Sequence, residues 1–150
     1  MGSFLCDYDL VSYDGQEWKK RASIPNGFRY GELVVDREGH KWVSLLSLGD
    51  IVLGGGVARL DSEKDDGEWT VFNEDTGLMS DYVVALSTDS RGNVWVSQAF
   101  AGLSRWDGSR WTQFPGGQDG RGDKDLGRCV EDCQGRLWVP SRDGALVYTP

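Results

Sequence analysis

The pattern D-x-x-G-x-x-W-V occurs three times in the chain: as DREGHKWVS at residues 36–44, as DSRGNVWVS at 89–97 and as DCQGRLWVP at 132–140. An Asp that opens a turn can accept hydrogen bonds from the backbone amides that follow it, and Gly supplies the positive φ that closes such a turn. Short apolar runs lie on both sides of each turn. The pattern therefore predicts the same tight β-hairpin three times.

A second unit recurs between these copies. It reads LVSYDGQEW at residues 10–18 and LSRWDGSRW at 103–111, with a longer version at 57–69. Asp-Gly between apolar runs is a strong signal for a β-hairpin. The tryptophans of the first pattern are 53 and then 43 residues apart, and the second spacing matches the ~40–45 residues of a four-stranded propeller blade. We predict an all-β fold of β-propeller blades, with strands named A to D in chain order.

The repeats divide the chain into about three four-stranded blades. They predict a partial blade at 4–22 that holds strands C and D, whole blades at 30–72 and 82–114, and a partial blade at 126–148 that holds strands A to C. Trp42, Trp95 and Trp138 occupy the same place in successive blades, so we expect them to pack between blades.

The stretch from Gly56 to Gly108 carries these landmarks in order and resembles the two-component-regulator propeller repeat. The resemblance extends from about Leu10 to Tyr148. It implies a β-propeller, a fold that this family uses in the sensor regions of hybrid histidine kinases and in free-standing or cell-surface proteins. It implies no particular catalytic residue, because the repeat motif is structural.

The number of blades predicts association. Propellers close with ~4–8 blades, and an arc of about three blades exposes apolar sheet faces at both ends. Two copies would complete a six-bladed ring, so we expect a homodimer.

Composition excludes several classes of protein. The chain has 150 residues and a formal net charge of −8, and this acidic balance argues against binding to nucleic acid or to an anionic membrane. No apolar run is long enough to span a membrane, and the first ten residues do not read as a signal peptide. Together with three cysteines in no framework spacing, this predicts a cytoplasmic protein. We expect no cofactor and no metal site.

A binding site, if present, should lie on the face formed by the D–A and B–C connections, where a propeller presents its variable loops. The candidate ligand-binding residues are taken from these positions in the repeat: Arg29, Tyr30, Asp50, Asp81, Tyr82, Gln98, Asp125 and Arg142. The segment 45–55 is unusually apolar for a B–C connection, which suits covering a blade face, contacting a partner chain or lining a pocket. The single histidine, His40, lies in an A–B turn on the opposite face, where we expect a solvated turn residue.

The sequence favours a non-enzymatic β-propeller module that binds a small molecule or a protein. Two alternatives stay open. One is a lyase or hydrolase that uses carboxylates at the channel mouth, and the other is a fragment of a longer sensor propeller.

Overall fold

The computed structural model describes residues 9–25, 27–47, 54–61, 68–116, 126–142 and 144–149. Its strands are β1 Asp9–Tyr13, β2 Trp18–Ser23, β3 Phe28–Val35, β4 Lys41–Ser47, β5 Gly54–Leu60, β6 Thr70–Phe72, β7 Val83–Thr88, β8 Val94–Gln98, β9 Gly102–Trp106, β10 Trp111–Pro115, β11 Val130–Glu131, β12 Leu137–Ser141 and β13 Gly144–Tyr148. A short 3-10 turn, Glu74–Thr76, is the only helical element in these ranges. No helix among the residues described has the length and apolarity needed to cross a bilayer.

The strands form four sheets in chain order. We name them the N-terminal hairpin (β1–β2), blade I (β3–β6), blade II (β7–β10) and blade III (β11–β13). Within each sheet, neighbours in sequence pair antiparallel, so every sheet is a simple meander. The predicted all-β propeller fold is confirmed.

The hydrophobic core lies between the sheets, in three separate clusters. The first, between the N-terminal hairpin and blade I, contains Ile24 and Val43. The second, between blades I and II, is built around Trp42, and the third, between blades II and III, is built around Trp95. Each sheet therefore buries apolar side chains mainly against its neighbours, as expected for stacked blades.

The prediction that the repeated tryptophans pack between blades is confirmed for two of the three. Trp42 is 0% exposed and Trp95 is 2% exposed, whereas Trp138 is 39% exposed. The reason is that Trp138 lies on the last sheet that the structure describes, on the side of blade III that faces away from blade II.

Each A–B hairpin is closed by one carboxylate. In blade II, Oδ1 of Asp89 accepts hydrogen bonds from the backbone N–H groups of Arg91 and Asn93, at 3.1 and 2.9 Å. Its Oδ2 accepts from the side-chain amide of Asn93 at 2.7 Å and from Nε1–H of Trp95 at 2.9 Å. Gly92 closes the turn with a φ of 88°. The repeated Asp therefore both shapes the turn and satisfies the buried indole N–H.

The same arrangement is present in the other two blades. Trp42 donates to Asp36 and Trp138 donates to Asp132, each at 2.8 Å. Hydrogen bonds to Trp138 and to the guanidinium of Arg136 hold the pKa of the Asp132 carboxyl well below its usual range, although partial desolvation opposes them. The recurrence explains why Asp and Trp keep a fixed spacing in the sequence.

Candidate ligand-binding face

The two ends of the blades differ in construction. At one end, the A–B hairpins and the C–D turns of the N-terminal hairpin and of blade II are tight turns closed by Asp side chains. Asp107, for example, accepts from the N–H groups of Ser109 and Arg110 at 3.0 Å each. The D–A and B–C connections, at the other end, differ in length from blade to blade. We call this second end the loop face, and it is where the sequence predicted a site.

Blade I contributes Arg29 and Tyr30 at the start of β3. Arg29 is exposed, whereas Tyr30 packs in the cluster beneath the N-terminal hairpin. Burial, with a smaller contribution from the negative charge of Asp9, raises the pKa of Tyr30 to about 12. Tyr30 therefore stays protonated, and its ring supports the blade while Arg29 faces solvent.

Asp81 and Tyr82 lie in the connection that leads into β7. The carboxylate of Asp81 accepts from the N–H of Glu74 at 2.7 Å, while the carboxylate of Glu74 accepts from the N–H of Asp81 at 3.3 Å. The carbonyl of Asp81 also accepts from the N–H of Gly56 at 2.9 Å, which links the connection to blade I. These two acids therefore organise the loop, and Tyr82 beside them is exposed.

Gln98 lies at this end of blade II but faces into the sheet. It is fully buried. Its amide N–H donates to the carbonyl of Ser80 at 2.6 Å, and its amide oxygen accepts from the hydroxyl of Ser104 at 2.6 Å. The described geometry makes Gln98 a brace between the connection and the sheet rather than a group presented to a ligand.

The remaining predicted residues are in blade III or outside the described ranges. Arg142 is exposed in the turn that follows β12. Asp50 and Asp125 lie outside the described residues, as does most of the apolar segment 45–55. The described part of that segment corrects its assignment as a loop: β4 continues to Ser47, and Leu45 is a core residue under the N-terminal hairpin.

Sequence reasoning missed the most conspicuous residue of the loop face, Phe100. It lies in the turn between β8 and β9, has a φ of 60°, and is 74% exposed. It is the one residue other than glycine with a positive φ in the described part of the chain. The N–H of Ala99 donates to the carbonyl of Tyr82 at 2.8 Å, so the two exposed aromatic residues project from adjoining backbone at the same end of blade II.

Sequence reasoning also missed a carboxylate that connects three blades. Glu32 on β3 accepts from the N–H of Leu86, on the edge strand β7 of blade II, at 2.7 Å. It also accepts from the guanidinium of Arg128, which precedes blade III, at 2.7 Å. Ala85 and Arg128 occupy the place of Glu32 in the next two repeats. Aligning the repeats could have drawn attention to this position, because it holds an acid in the first repeat, an alanine in the second and a base in the third.

His40 lies near two carboxylates at the opposite end of blade I. Donor atoms of Asp36, Glu38 and His40 are within 4.8 Å of one another. Nδ1 of His40 is 2.9 Å from Oδ2 of Asp36, the same oxygen that accepts from Trp42. Asn93 and Arg136 make the equivalent bond in the other blades. These three residues are therefore the blade I version of the repeated turn, and their proximity is not evidence for a metal site.

Comparison with known proteins supports the fold. No protein-family model and no curated protein match the chain. Among solved structures, the chain is similar to the extracellular domain of BT3049 from B. thetaiotaomicron, which is described as a hybrid two-component system, with a TM-score of 0.68 at 12% identity. It is also similar to the extracellular domain of BT4673 from the same organism, described as a one-component system, with a TM-score of 0.56 at 15% identity.

A third similar structure is described as a gluconolactonase, with a TM-score of 0.56 at 18% identity. In the order given, the matches cover 93%, 96% and 95% of this chain but 18%, 27% and 53% of the other chains. The chain therefore spans only part of the length of each structure. The TM-scores show a shared propeller-type fold, and at these low identities they show the fold alone.

The neighbours correct one expectation. The sequence predicted a cytoplasmic protein, but the BT3049 and BT4673 structures are extracellular domains. The prediction is wrong in the light of these neighbours. Its basis was the apparent absence of a leader and an unpaired set of cysteines, and neither feature reports where the rest of a longer chain directs a domain.

Proposed function

We propose that this chain is a non-enzymatic ligand-binding module of the two-component-regulator propeller repeat type, part of a sensor that acts in an extracellular or periplasmic location. The resemblance of the repeats and the extracellular sensor-type neighbours support the class of protein. The exposed, strained Phe100 supports the position of the ligand on the loop face.

Phe100 carries two costs that the fold does not need. A bulky L-residue in the left-handed region is destabilised by ~1–2 kcal/mol, which glycine would avoid. An aromatic ring in water also gives up the favourable free energy that burial would supply. Strained residues of this kind cluster at functional sites. Burial of the Phe100 ring against a ligand would supply the hydrophobic free energy that the ring lacks while it is exposed to water.

The chemistry of the face suggests the class of ligand. Phe100 and Tyr82 offer aromatic rings, which stack on molecules with a flat apolar surface. Arg29 on blade I adds an exposed cation at the same end of the blades. We therefore propose a small molecule that combines a flat apolar face with polar or anionic groups.

Binding can be tested with a defined set of probes. Phenol, tryptophan, adenosine and cellobiose each offer a flat face of a different chemistry, and saturation-transfer NMR reports contact without an assumed affinity. We expect the wild-type protein to bind at least one probe and the Phe100→Ala variant to lose that signal. The matched control is Trp18→Ala, because Trp18 is 71% exposed but lies beside a C–D turn at the opposite end.

Three outcomes would overturn the proposal. The first is that the wild type contacts none of the probes, and the second is that Phe100→Ala contacts a probe as well as the wild type does. The third is chemical turnover of a bound probe, which would favour the enzymatic alternative. A Phe100→Gly variant guards against misfolding as an explanation. Because glycine removes the strain, this variant should unfold at a higher denaturant concentration than the wild type while still losing the probe.

A further inference from the structure

One ion pair joins the inner edges of the three blades. Glu32 lies on β3, the first strand of blade I, and its carboxylate bonds to Leu86 on β7 and to Arg128 just before β11. Because these groups come from the start of three successive blades and still meet, the first strands of the blades converge. They therefore border the central channel around which propeller blades are arranged. This position is the same whatever number of blades closes the ring.

The two oxygens of the Glu32 carboxylate have different partners. Oε2 accepts from the backbone N–H of Leu86 and Oε1 accepts from Nη2 of Arg128, each at 2.7 Å. Glu32 can therefore release Arg128 and keep the bond that ties β3 to β7. The side chains of Glu32 and Arg128 are 30% and 54% exposed, and an ion pair this open to solvent contributes little to stability. The partner of Arg128 is therefore exchangeable.

The guanidinium of Arg128 suits a carboxylate ligand. A guanidinium presents several N–H donors in a planar fork that matches the two oxygens of a carboxylate. In the described ranges of the chain, its acceptor is the single oxygen Oε1 of Glu32. The formal net charge of −8 disfavours a ligand with several negative charges. A ligand with one carboxylate fits this group best.

Arg128 is held at the same end of the blades as the exposed aromatic residues. The carbonyl of Gly127 accepts from the hydroxyl of Ser97 at 2.6 Å, which fixes the segment before Arg128 to the end of β8. Phe100 lies in the turn that follows β8, and Tyr82 is bonded to that turn. The guanidinium and the two rings therefore belong to neighbouring segments of the loop face.

An apolar residue lies between Tyr82 and the ion pair. Val84 is the extra residue of a bulge in β7, so it has no partner on β8, and it is 43% exposed. At the usual rise of a strand, Val84 lies about 7 Å along β7 from Leu86, where Glu32 is bound. This separation is comparable with the length of a benzoate ion. We call Tyr82, Val84 and Arg128 the channel site.

We propose that the channel site binds a small aromatic acid. Arg128 binds its carboxylate, and its ring lies on Val84 and Tyr82. Glu32 is the internal counter-ion that the carboxylate of the ligand displaces from the guanidinium. The inference rests on the function proposed above and narrows the ligand to a monocarboxylate, with Arg128 rather than Arg29 as its cationic partner.

Benzoate and benzamide test the site because they have similar shapes and differ in charge. In titrations of the whole chain followed by amide NMR, the wild type should bind benzoate about tenfold more tightly, since hydrogen bonds between charged groups are the stronger ones. Arg128→Gln should remove this preference, and Arg128→Lys, which keeps the charge but not the planar fork, should keep only part of it. Arg29→Gln is the matched control, because it removes the same charge from an exposed residue of the loop face; it should keep the preference.

Glu32→Gln distinguishes a ligand site from a purely structural ion pair. The amide oxygen can still accept from Leu86, but the amide nitrogen cannot accept from Arg128. The guanidinium is then released, so benzoate should bind about threefold more tightly, while benzamide binding stays unchanged. A purely structural ion pair predicts no change for either molecule.

The outcomes separate this inference from the proposed function. Equal binding of benzoate and benzamide by the wild type would overturn the channel site, as would a preference that survives in Arg128→Gln or is lost in Arg29→Gln. An unchanged benzoate affinity in Glu32→Gln would also count against it. Binding of neither molecule, with the Phe100-dependent probe signal retained, would overturn the channel site alone. Loss of that probe signal as well would overturn the proposed function.

Discussion

Removal of the Asp89 side chain tests whether the repeated carboxylate matters mainly to its turn or mainly to the tryptophan behind it. Asp89→Ala deletes two bonds to backbone N–H groups, and each such bond contributes at least ~0.5 kcal/mol. It also leaves Nε1–H of Trp95 without its acceptor in a side chain that is only 2% exposed, and an unsatisfied buried donor costs ~1–3 kcal/mol. We therefore expect a loss of about 3 kcal/mol in the free energy of unfolding.

Asp89→Asn separates the contribution of the bonds within the turn from that of the bond to the indole N–H of Trp95. The amide oxygen can still accept from the turn, but the amide nitrogen would face the indole N–H, so most of the loss should remain, about 2 kcal/mol. The matched control is Asp107→Ala, which removes a carboxylate that closes an exposed turn through bonds from Ser109 and Arg110 and not from an indole. Urea denaturation, monitored by tryptophan fluorescence, gives the change in the free energy of unfolding for all three variants. Equal losses for Asp89→Ala and Asp107→Ala would refute the reasoning, because the buried indole would then contribute nothing.

Two further predictions concern a glycine and a surface ion pair. Gly56→Ala should lower the free energy of unfolding by more than about 2 kcal/mol in a thermal-unfolding assay, because φ is 76° and a Cβ would collide with the carbonyl oxygen of Phe72. Gly108→Ala, with a similar φ of 96° and open space around it, should lower it by about half as much, and equal losses would contradict the collision. Bonds from the Lys19 ammonium and from backbone N–H groups lower the pKa of Asp14 to about 2, so this carboxylate stabilises the N-terminal hairpin above its ordinary pKa of 3.8 and the effect is lost as the pH falls toward 2. Lys19→Met should raise the midpoint of the Asp14 carboxyl in an NMR titration, and an unchanged midpoint would argue against the ion pair.

The fold was predictable because its signals are local and repeated. The Asp-to-Trp spacing and the Asp-Gly turns each specify a hairpin from a few adjacent residues, and recurrence removes ambiguity about register. The burial of Trp42 and Trp95 followed from their shared place in the repeat. Trp138 shares that place too, but its burial depends on a neighbouring sheet, which no local pattern encodes.

The candidate site was less predictable because it depends on side-chain direction and backbone strain. Gln98 was selected for its position at the end of β8, yet strand alternation turns its amide inward to Ser80 and Ser104. Phe100 was overlooked because a positive φ is expected at glycine, asparagine or aspartate, not at a bulky aromatic residue. The link from Glu32 to Arg128 joins residues 96 positions apart, so only the stacked arrangement of the blades brings them together.

The carboxylate that closes each A–B hairpin also accepts one hydrogen bond from a side chain that differs in each blade. The donor is the imidazole of His40 in blade I, the amide of Asn93 in blade II and the guanidinium of Arg136 in blade III. The turn and the indole bond keep the same geometry in all three cases. A single position in this hairpin can therefore change from neutral to cationic while the core behind it stays unaltered. Successive copies of the repeat are free to acquire different surface charges at the turn end, and the electrostatic character of that end can diverge without any loss of the fold.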